Sequence, residues 1–316
     1  MHSKRLFTCV FTLATSLLLA SKASAAEEDK LYLPSLSLHM PYIDEEMRSN
    51  HFEFGGDTVV NTYKGVQLTA DLPSRAGWLW SKHALPTNSW EVEFEFKVDG
   101  HGTNIFGDGF AFWATTNDPQ TGPVFGSVDR FEGLGVFFDT YANAKHPYSF
   151  PYVSAMIGDG KTSYDVDQDG EPTRRGGCEA DFRGKDFPTK ARVSYSKGQY
   201  VQVQLQSETE GKWTDCFTID NAILPSIVYL GFSAHTGEIS GNVDLAAESL
   251  PSDSHEIISI SSHSIKRKDT YQPSTPQPVR HESESIGFFW KLAAILTVGG
   301  LIYYVYQKNQ RNAKRF

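Results

Sequence analysis

The sequence predicts an all-β fold, an antiparallel β-sandwich of the jelly-roll type. Strand-like segments recur along the chain, and turn signals such as Asp99-Gly100 and Gly158-Asp159-Gly160 separate them. No long stretch shows the apolar period of a helix. The segment from about Leu31 to Leu250 has about 220 residues, which is large for one all-β unit but within its range.

The clearest strand runs from Trp90 to Val98, where apolar and acidic residues alternate. Val92, Phe94 and Phe96 lie on one face, and Glu91, Glu93 and Glu95 lie on the other. Further strands are predicted, in chain order, at Gly109 to Thr115, Leu134 to Asp139, Tyr152 to Ile157, Ala191 to Ser196, Tyr200 to Gln206, Asp215 to Ile219, Ile227 to Ala234 and Asn242 to Ala247.

The strand that ends at Asp139 lacks alternation. Gly135 to Phe138 are all apolar or small, as in a strand that is buried on both faces. A buried carboxylate such as Asp139 needs hydrogen bonds or a cation. With Asn143 it offers the oxygen ligands that Ca²⁺ takes, although both residues are also common in hydrogen-bonded turns. This stretch alone leaves both interpretations open.

A second acidic stretch begins at Asp165 and continues through Asp167, Asp169 and Gly170. It resembles the start of an EF-hand loop, but the twelfth position is Gly176 instead of Glu and no helices flank it. The cluster is therefore either a solvated turn or a source of Ca²⁺ ligands in another geometry.

Asp108 stands between two glycines, directly before the apolar strand from Gly109. A carboxylate in this position can accept hydrogen bonds from ligand hydroxyls, and the glycines permit close approach. A turn aspartate without a ligand is the alternative.

The N-terminal segment predicts a secretory signal peptide. Basic Lys4 and Arg5 precede an apolar run, and Ala23-Ser24-Ala25 supplies a cleavage site after residue 25. Residues 26–250 then form the luminal domain. From residue 251 to 285, Ser, Pro, His and charged residues dominate, which predicts an extended, poorly ordered stalk without a coiled coil.

An apolar run at residues 286–306 predicts one transmembrane helix. Aromatic residues lie at both of its edges, and its length suits a single span. The cytosolic tail, residues 307–316, carries Lys308, Arg311, Lys314 and Arg315 without acidic residues, so the positive-inside rule predicts a type I membrane protein.

The net charge limits the classes of binding partner, and the cysteine content bears on the cellular compartment. The formal net charge is −9, which argues against a nucleic-acid partner. Of the three cysteines, Cys9 lies in the signal peptide. Cys178 and Cys216 remain, and in an oxidising lumen we predict that they form a disulfide instead of staying as two free thiols.

Several stretches together resemble the L-type, or legume-like, lectins of the early secretory pathway, and most closely the vesicular integral-membrane lectin subgroup. They are Gly107 to Trp113, Gly122 to Gly126, Leu134 to Asn143, Tyr164-Asp165 with Asp169-Gly170, and Ser233 to Gly237. The resemblance covers the luminal domain from about Leu31. It implies a concanavalin-like sandwich that binds high-mannose glycans in a Ca²⁺-dependent way.

The resemblance also implies roles for individual residues. The metal ligands would be Asp139, the Tyr141 carbonyl, Asn143 and Asp169. The sugar contacts would be Asp108, Asn143, Gly237, Glu238 and Ile239. The family's disulfide matches Cys178 and Cys216.

Two positions depart from the family pattern. Val166 stands where a sugar-binding His follows Tyr-Asp in animal members, and Trp78 stands where they have a Ser. Each change removes a hydrogen-bonding group, which is typically worth about 1 kcal/mol. Trp78 could stack on a sugar ring, or it could only pack in the core. His235 could replace the lost hydrogen-bond donor, or it could lie in a solvated loop without contacting the sugar.

The sequence therefore predicts a binding protein and not an enzyme. The leading hypothesis is a Ca²⁺-dependent receptor for high-mannose N-glycoproteins that cycles between endoplasmic reticulum and Golgi membranes, with coat proteins reading the tail that ends at Phe316. A sugar-independent cargo adaptor is one alternative. A membrane-anchored glycosidase that uses the Glu91, Glu93 and Glu95 face is another, because paired carboxylates can hydrolyse glycosides.

Overall fold

The computed structural model describes residues 29–101, 107–237 and 252–266. The predicted signal peptide, transmembrane helix, cytosolic tail and the strand from Asn242 to Ala247 lie outside these residues. Within them the strands are β1 (Asp29–Tyr32), β2 (Phe52–Gly56), β3 (Val59–Asn61), β4 (Gly65–Thr69), β5 (Ala76–Ala84), β6 (Ser89–Asp99), β7 (Gly109–Thr115), β8 (Glu132–Asp139), β9 (Tyr152–Asp159), β10 (Gly176–Glu179), β11 (Thr189–Ser196), β12 (Tyr200–Gln206), β13 (Thr214–Asp220), β14 (Tyr229–His235) and β15 (Ser254–Lys266). Short 3₁₀ helices cover Pro34–Leu36, Val166–Gln168 and Glu171–Thr173.

The described strands form two antiparallel sheets, which confirms the predicted β-sandwich. The larger sheet has eight strands in the order β13-β12-β11-β6-β15-β4-β3, with β1 paired to β15. The other sheet has seven strands in the order β10-β9-β8-β7-β14-β5-β2. Eight of the predicted strands recur with ends shifted by a few residues or less, whereas β1 to β5, β10 and β15 are additional.

Aromatic side chains from the two sheets meet in the core. Phe94 of β6 packs edge-on against Phe232 of β14, with ring centroids 4.9 Å apart. Phe96 packs against Phe110 and Phe138 of the seven-stranded sheet at 4.8 and 5.2 Å. The apolar face predicted for β6 is therefore the face that joins the sheets.

A second apolar cluster covers the other face of the seven-stranded sheet. Phe137 of β8 points into it and packs against Trp113 and Tyr164, whereas Val136 and Phe138 belong to the core between the sheets. The strand that ends at Asp139 is thus buried on both faces, and this explains why its sequence does not alternate.

The prediction that the stalk begins at residue 251 is wrong, because residues 254–266 form β15. This strand lies between β6 and β4 in the larger sheet, and its Ile257 and Ile260 are buried in the core. A register shift between Ile257 and Ser259 breaks the two-residue period. Buried Ser262 donates to the Leu36 carbonyl, so a serine-rich composition conceals a core strand.

The glutamate face of β6 lies on the outer side of the larger sheet, where cationic side chains partly cover it. Glu91 is only 7% exposed, and Lys30 Nζ lies 2.7 Å from its carboxylate. Arg192 pairs with Glu93, and Lys190 pairs with Glu95. Cationic side chains therefore engage all three carboxylates.

The predicted disulfide between Cys178 and Cys216 is present. Cys178 lies in β10, an edge strand of the seven-stranded sheet, and Cys216 lies in β13, an edge strand of the eight-stranded sheet. The bond therefore joins the two layers of the sandwich along one side.

Candidate functional site

Three strands of the seven-stranded sheet meet at one end and bring distant parts of the sequence together. Gly109, the first residue of β7, pairs with Asp139 at the end of β8 and with His235 at the end of β14. The Asp108 carbonyl accepts a hydrogen bond from Thr140 N–H at 3.0 Å. Asp108, Asp139 and the segment after His235 are therefore neighbours.

Asp108 is held by its backbone and by its carboxylate. His235 Nδ1–H donates to Asp108 Oδ2 at 2.7 Å, so the structure places this histidine against the carboxylate. A Cβ added at Gly109 would lie 2.2 Å from the Phe138 carbonyl, and one at Gly107 would lie 2.8 Å from Tyr141 Cβ. Only glycine fits on either side of Asp108, as the sequence suggested.

Asp139 is a buried carboxylate, 5% exposed, at the end of β8. The Tyr141 N–H donates to it at 3.0 Å. Burial raises the pKa of Asp139 well above its usual value, and the negative charges of Asp169 and Asp108 raise it further. The local charge balance therefore favours a proton or a cation beside this carboxylate.

Asp169 is also 5% exposed, and it organises the loop after β8. Its carboxylate accepts hydrogen bonds from the backbone N–H groups of Asn143 and Ala144 at 3.0 and 3.1 Å, and from the Asn143 side-chain amide at 2.7 Å. His146 Nε2–H donates to it at 2.7 Å. The acidic loop thus reaches the segment that carries Asn143, as the metal-site interpretation requires.

A cavity of about 20 Å³ lies between these groups, lined by Pro123, Val124, Phe125, Asp139, Asn143, Tyr164, Val166 and Asp169. This volume is about that of one or two water-sized spheres, so it has room for a water molecule or a small ion. The described residues contain no group of three His, Cys, Asp or Glu side chains that could hold a metal ion. The predicted set instead combines two carboxylates with an amide and a carbonyl oxygen, and the buried, uncompensated Asp139 fits a hard cation.

The two departures from the family pattern occupy different surroundings. Val166 lines the cavity and is 41% exposed, so an apolar side chain borders the site. Trp78 is partly buried against the second apolar cluster, and a Cβ at Gly55 would lie 2.4 Å from its ring. Trp78 therefore packs over Gly55 of β2.

Of the predicted sugar contacts Gly237, Glu238 and Ile239, the structure describes only Gly237. The Gly237 carbonyl accepts a hydrogen bond from Ser74 N–H at 3.1 Å, and a Cβ at Gly237 would lie 3.4 Å from Asp108 Oδ1. Gly237 is therefore beside Asp108. Glu238 and Ile239, the other predicted sugar contacts, lie outside the described residues, as does the predicted membrane span. No helix within residues 29–101, 107–237 and 252–266 is long and apolar enough to cross a membrane.

Sequence reasoning missed two residues of the site. His146 lies in the irregular loop between β8 and β9, where no local pattern marks it, yet its side chain is only 5% exposed against Asp169. Tyr164 was noted only as the neighbour of Asp165, although its ring lines the cavity. Both are identified by the folding of the two loops onto each other.

A profile of the legume-like lectin family matches residues 29–271. An L-type lectin-like domain-containing protein of Schizosaccharomyces pombe is 36% identical over 248 residues, covering 78% of this chain and 75% of that protein. The vesicular integral-membrane protein VIP36 of Canis lupus familiaris is 40% identical over 201 residues, covering 63% of this chain. The match spans only 56% of the length of that relative.

Solved structures agree with these similarities. The luminal domain of VIP36 with Ca²⁺ and mannose has a TM-score of 0.69 and 35% identity, covering 78% of this chain and 96% of that one. The same domain has been solved in a metal-free form. The carbohydrate recognition domain of Emp47p shares the fold, with a TM-score of 0.60, 18% identity, and coverage of 74% of this chain and 96% of that one. The chain belongs to the legume-like lectin family.

Proposed function

We propose that the protein is a Ca²⁺-dependent lectin that binds high-mannose N-glycans and acts as a cargo receptor in transport between the endoplasmic reticulum and the Golgi. The observation that supports this most is the convergence of four separate segments at one end of the seven-stranded sheet. They carry Asp108, Asp139 with Asn143, Asp169, and Gly237.

Four groups would hold the cation: the Asp139 and Asp169 carboxylates, the Asn143 side chain and the Tyr141 carbonyl. A bound Ca²⁺ would supply positive charge between two buried carboxylates and fix the loop that carries Asn143. The protein contributes burial of Asp139 and the hydrogen bonds from Asn143 and His146 that hold Asp169 in place.

The sugar would bind beside the cation, with Asp108 accepting hydrogen bonds from its hydroxyls. His235 already donates to Asp108 Oδ2, so it orients the carboxylate and leaves Oδ1 on the side of Gly237. Exposed Val166 would offer an apolar contact where animal members of the family have a histidine. We therefore expect a glycan preference that differs from that of animal members.

The transport role rests on the sequence and on the relatives. A single membrane span at 286–306 and a basic cytosolic tail ending at Phe316 would anchor the lectin and present a signal to coat proteins. The name of VIP36 describes a vesicular integral-membrane protein. Such a receptor needs no bond-making residue.

Glycan binding of the full chain in Ca²⁺ and in EDTA tests the proposal. We expect high-mannose glycans to bind in Ca²⁺, to be released by EDTA, and to bind at least about tenfold more weakly to Asp108→Asn, because a charged hydrogen-bond acceptor is lost. Asp118→Asn changes an exposed aspartate beyond the other end of β7 and is the matched control.

The alternatives make different predictions in the same experiment. A sugar-independent adaptor would bind no glycan in Ca²⁺, and this result would refute the lectin proposal. A glycosidase would release sugar from a model substrate, and Glu93→Gln would abolish that release.

A further inference from the structure

Tyr164 has a buried hydroxyl group that has no hydrogen-bond partner in the part of the chain that the structure describes. The side chain is 5% exposed, and within the described residues its oxygen makes no hydrogen bond. A buried polar group without a partner destabilises a fold by about 1–3 kcal/mol. Such a group therefore indicates a water molecule, an ion or a ligand that satisfies it.

The ring of Tyr164 is packed between aromatic side chains and the acidic loop. It packs against Phe137 at 4.6 Å between centroids and against Phe125 at 6.0 Å. A Cβ at Gly170 would lie 2.2 Å from the ring, so the loop that carries Asp169 closes its edge. The aromatic cluster and the acidic loop fix the position of the hydroxyl.

The surroundings of the hydroxyl are those of the predicted cation site. Tyr164 lines the same cavity as Asp139, Asn143 and Asp169. Burial raises the pKa of Tyr164, and the charges of Asp139 and Asp169 raise it further, so the hydroxyl stays protonated. It can therefore both donate and accept a hydrogen bond.

We propose that Tyr164 is a positioning residue of the cation site, whose hydroxyl holds a water molecule in this cavity beside the Asp139 and Asp169 carboxylates. This inference rests on the proposed function. The four predicted ligand residues supply four oxygens when each carboxylate binds through one atom, and six when both bind through two, whereas Ca²⁺ takes six to eight, so the set leaves a place for water. The cavity of about 20 Å³ has room for it.

Calcium titration of the full chain by calorimetry, without sugar, tests the inference. We expect Tyr164→Phe to raise the dissociation constant for Ca²⁺ about tenfold, the lower end of the effect of losing a group that orients metal ligands. In EDTA its thermal unfolding midpoint should equal or exceed that of the wild type, because the change removes only an unsatisfied oxygen.

Tyr229→Phe is the matched control. Tyr229 packs against the same aromatic cluster but pairs with Thr115, at the end of β14 opposite His235, so its Ca²⁺ affinity should equal that of the wild type. A Tyr164→Phe affinity within about twofold of the wild type would overturn the inference and leave the lectin proposal intact. Weaker Ca²⁺ binding by Tyr164→Phe, with no glycan binding by the wild type, would support the inference and refute the lectin proposal.

Discussion

At the scale of single residues, the site depends on carboxylates whose surroundings differ. Asp139 is buried, and burial raises its pKa, whereas Asp169 is equally buried but accepts hydrogen bonds from the backbone of Asn143 and Ala144 and from His146. Asp139 is therefore the carboxylate that most needs a cation. A cation bound to both Asp139 and Asp169 would link the loop that carries Asn143 to the loop that carries Asp169.

His255 is a second buried titratable residue, remote in function from the site. Its Nδ1 lies 2.7 Å from Thr69 Oγ1, and its Nε2 has no partner among the described residues. Burial, with smaller electrostatic contributions from His235 and Arg183, lowers the pKa of His255 from 6.5 to about 3. The folded state therefore keeps this imidazole neutral.

We predict that protonation of His255 reduces the stability of the fold in acid. Since the folded pKa, about 3, lies below the unfolded value of 6.5, this contribution is fully present above pH 6.5 and is lost as the pH falls towards 3. The free energy of unfolding should fall by about 1.4 kcal/mol per pH unit in this window from this group alone. Urea unfolding from pH 7 to 4.5 measures the slope.

The variant His255→Gln should flatten that slope, because it removes the titrating group and keeps a side chain that can bond Thr69. His39→Gln changes an exposed histidine and should leave the slope unchanged. Equal slopes for the wild type and His255→Gln would show that protonation of another group causes the loss of stability in acid.

Some residues of the site can be predicted from their neighbours in the sequence, and others cannot. Asp108 between glycines and Asp139 at the end of an unalternating strand are marked by their neighbours in the chain. His146 and Tyr164 act through contacts with loops about twenty residues away or more, and an imidazole or a phenol side chain has many other uses in proteins. Local patterns therefore found the acidic groups and missed the side chains that support them.

At the scale of elements, β6 and β15 show when a strand is visible in sequence. β6 alternates without interruption, because one face meets the other sheet and the other carries ion pairs. β15 has a register shift and a buried serine that donates to a backbone carbonyl, so its sequence pattern predicts a polar stalk instead of a strand. Both strands are neighbours in the same sheet.

The disulfide joins edge strands β10 and β13 of different sheets, and Cys178 and Cys216 are 38 positions apart in the sequence. A cross-link that closes a loop of this length stabilises a fold by about 4 kcal/mol in the chain-entropy treatment. We predict that the double variant Cys178→Ala, Cys216→Ala loses stability of this order. Equilibrium urea unfolding measures the difference.

Wild-type protein treated with a reductant is the control for that variant, since it breaks the same bond without changing the side-chain volume. The two samples should lose similar stability. A loss below about 1 kcal/mol in both would mean that packing alone holds the edges of the sheets together.

At the scale of the whole molecule, the sandwich closes only when a late segment of the chain returns to the middle of the larger sheet. We predict that a chain ending at residue 250 does not fold, because it lacks β15 and leaves β6 and β4 without their common neighbour. A chain ending at residue 271 keeps β15 and should fold. Near-ultraviolet circular dichroism and thermal unfolding distinguish the two.

Gel filtration of both truncated chains completes the comparison, since exposed strand edges promote aggregation. We expect a monodisperse peak for the longer chain and aggregates for the shorter one. Cooperative unfolding at the same temperature in both chains would contradict the central position of β15.

The sequence by itself determined the β-sandwich, the disulfide and the acidic groups of the candidate site. Alternation and the carboxylates beside strands are local patterns, and the number of cysteines is a simple count. The tertiary structure decided which strand completes the larger sheet and which side chains surround Asp139 and Asp169. Those features depend on contacts between distant segments, such as Tyr164 with the cavity and β15 with β6. Local sequence patterns therefore do not predict them.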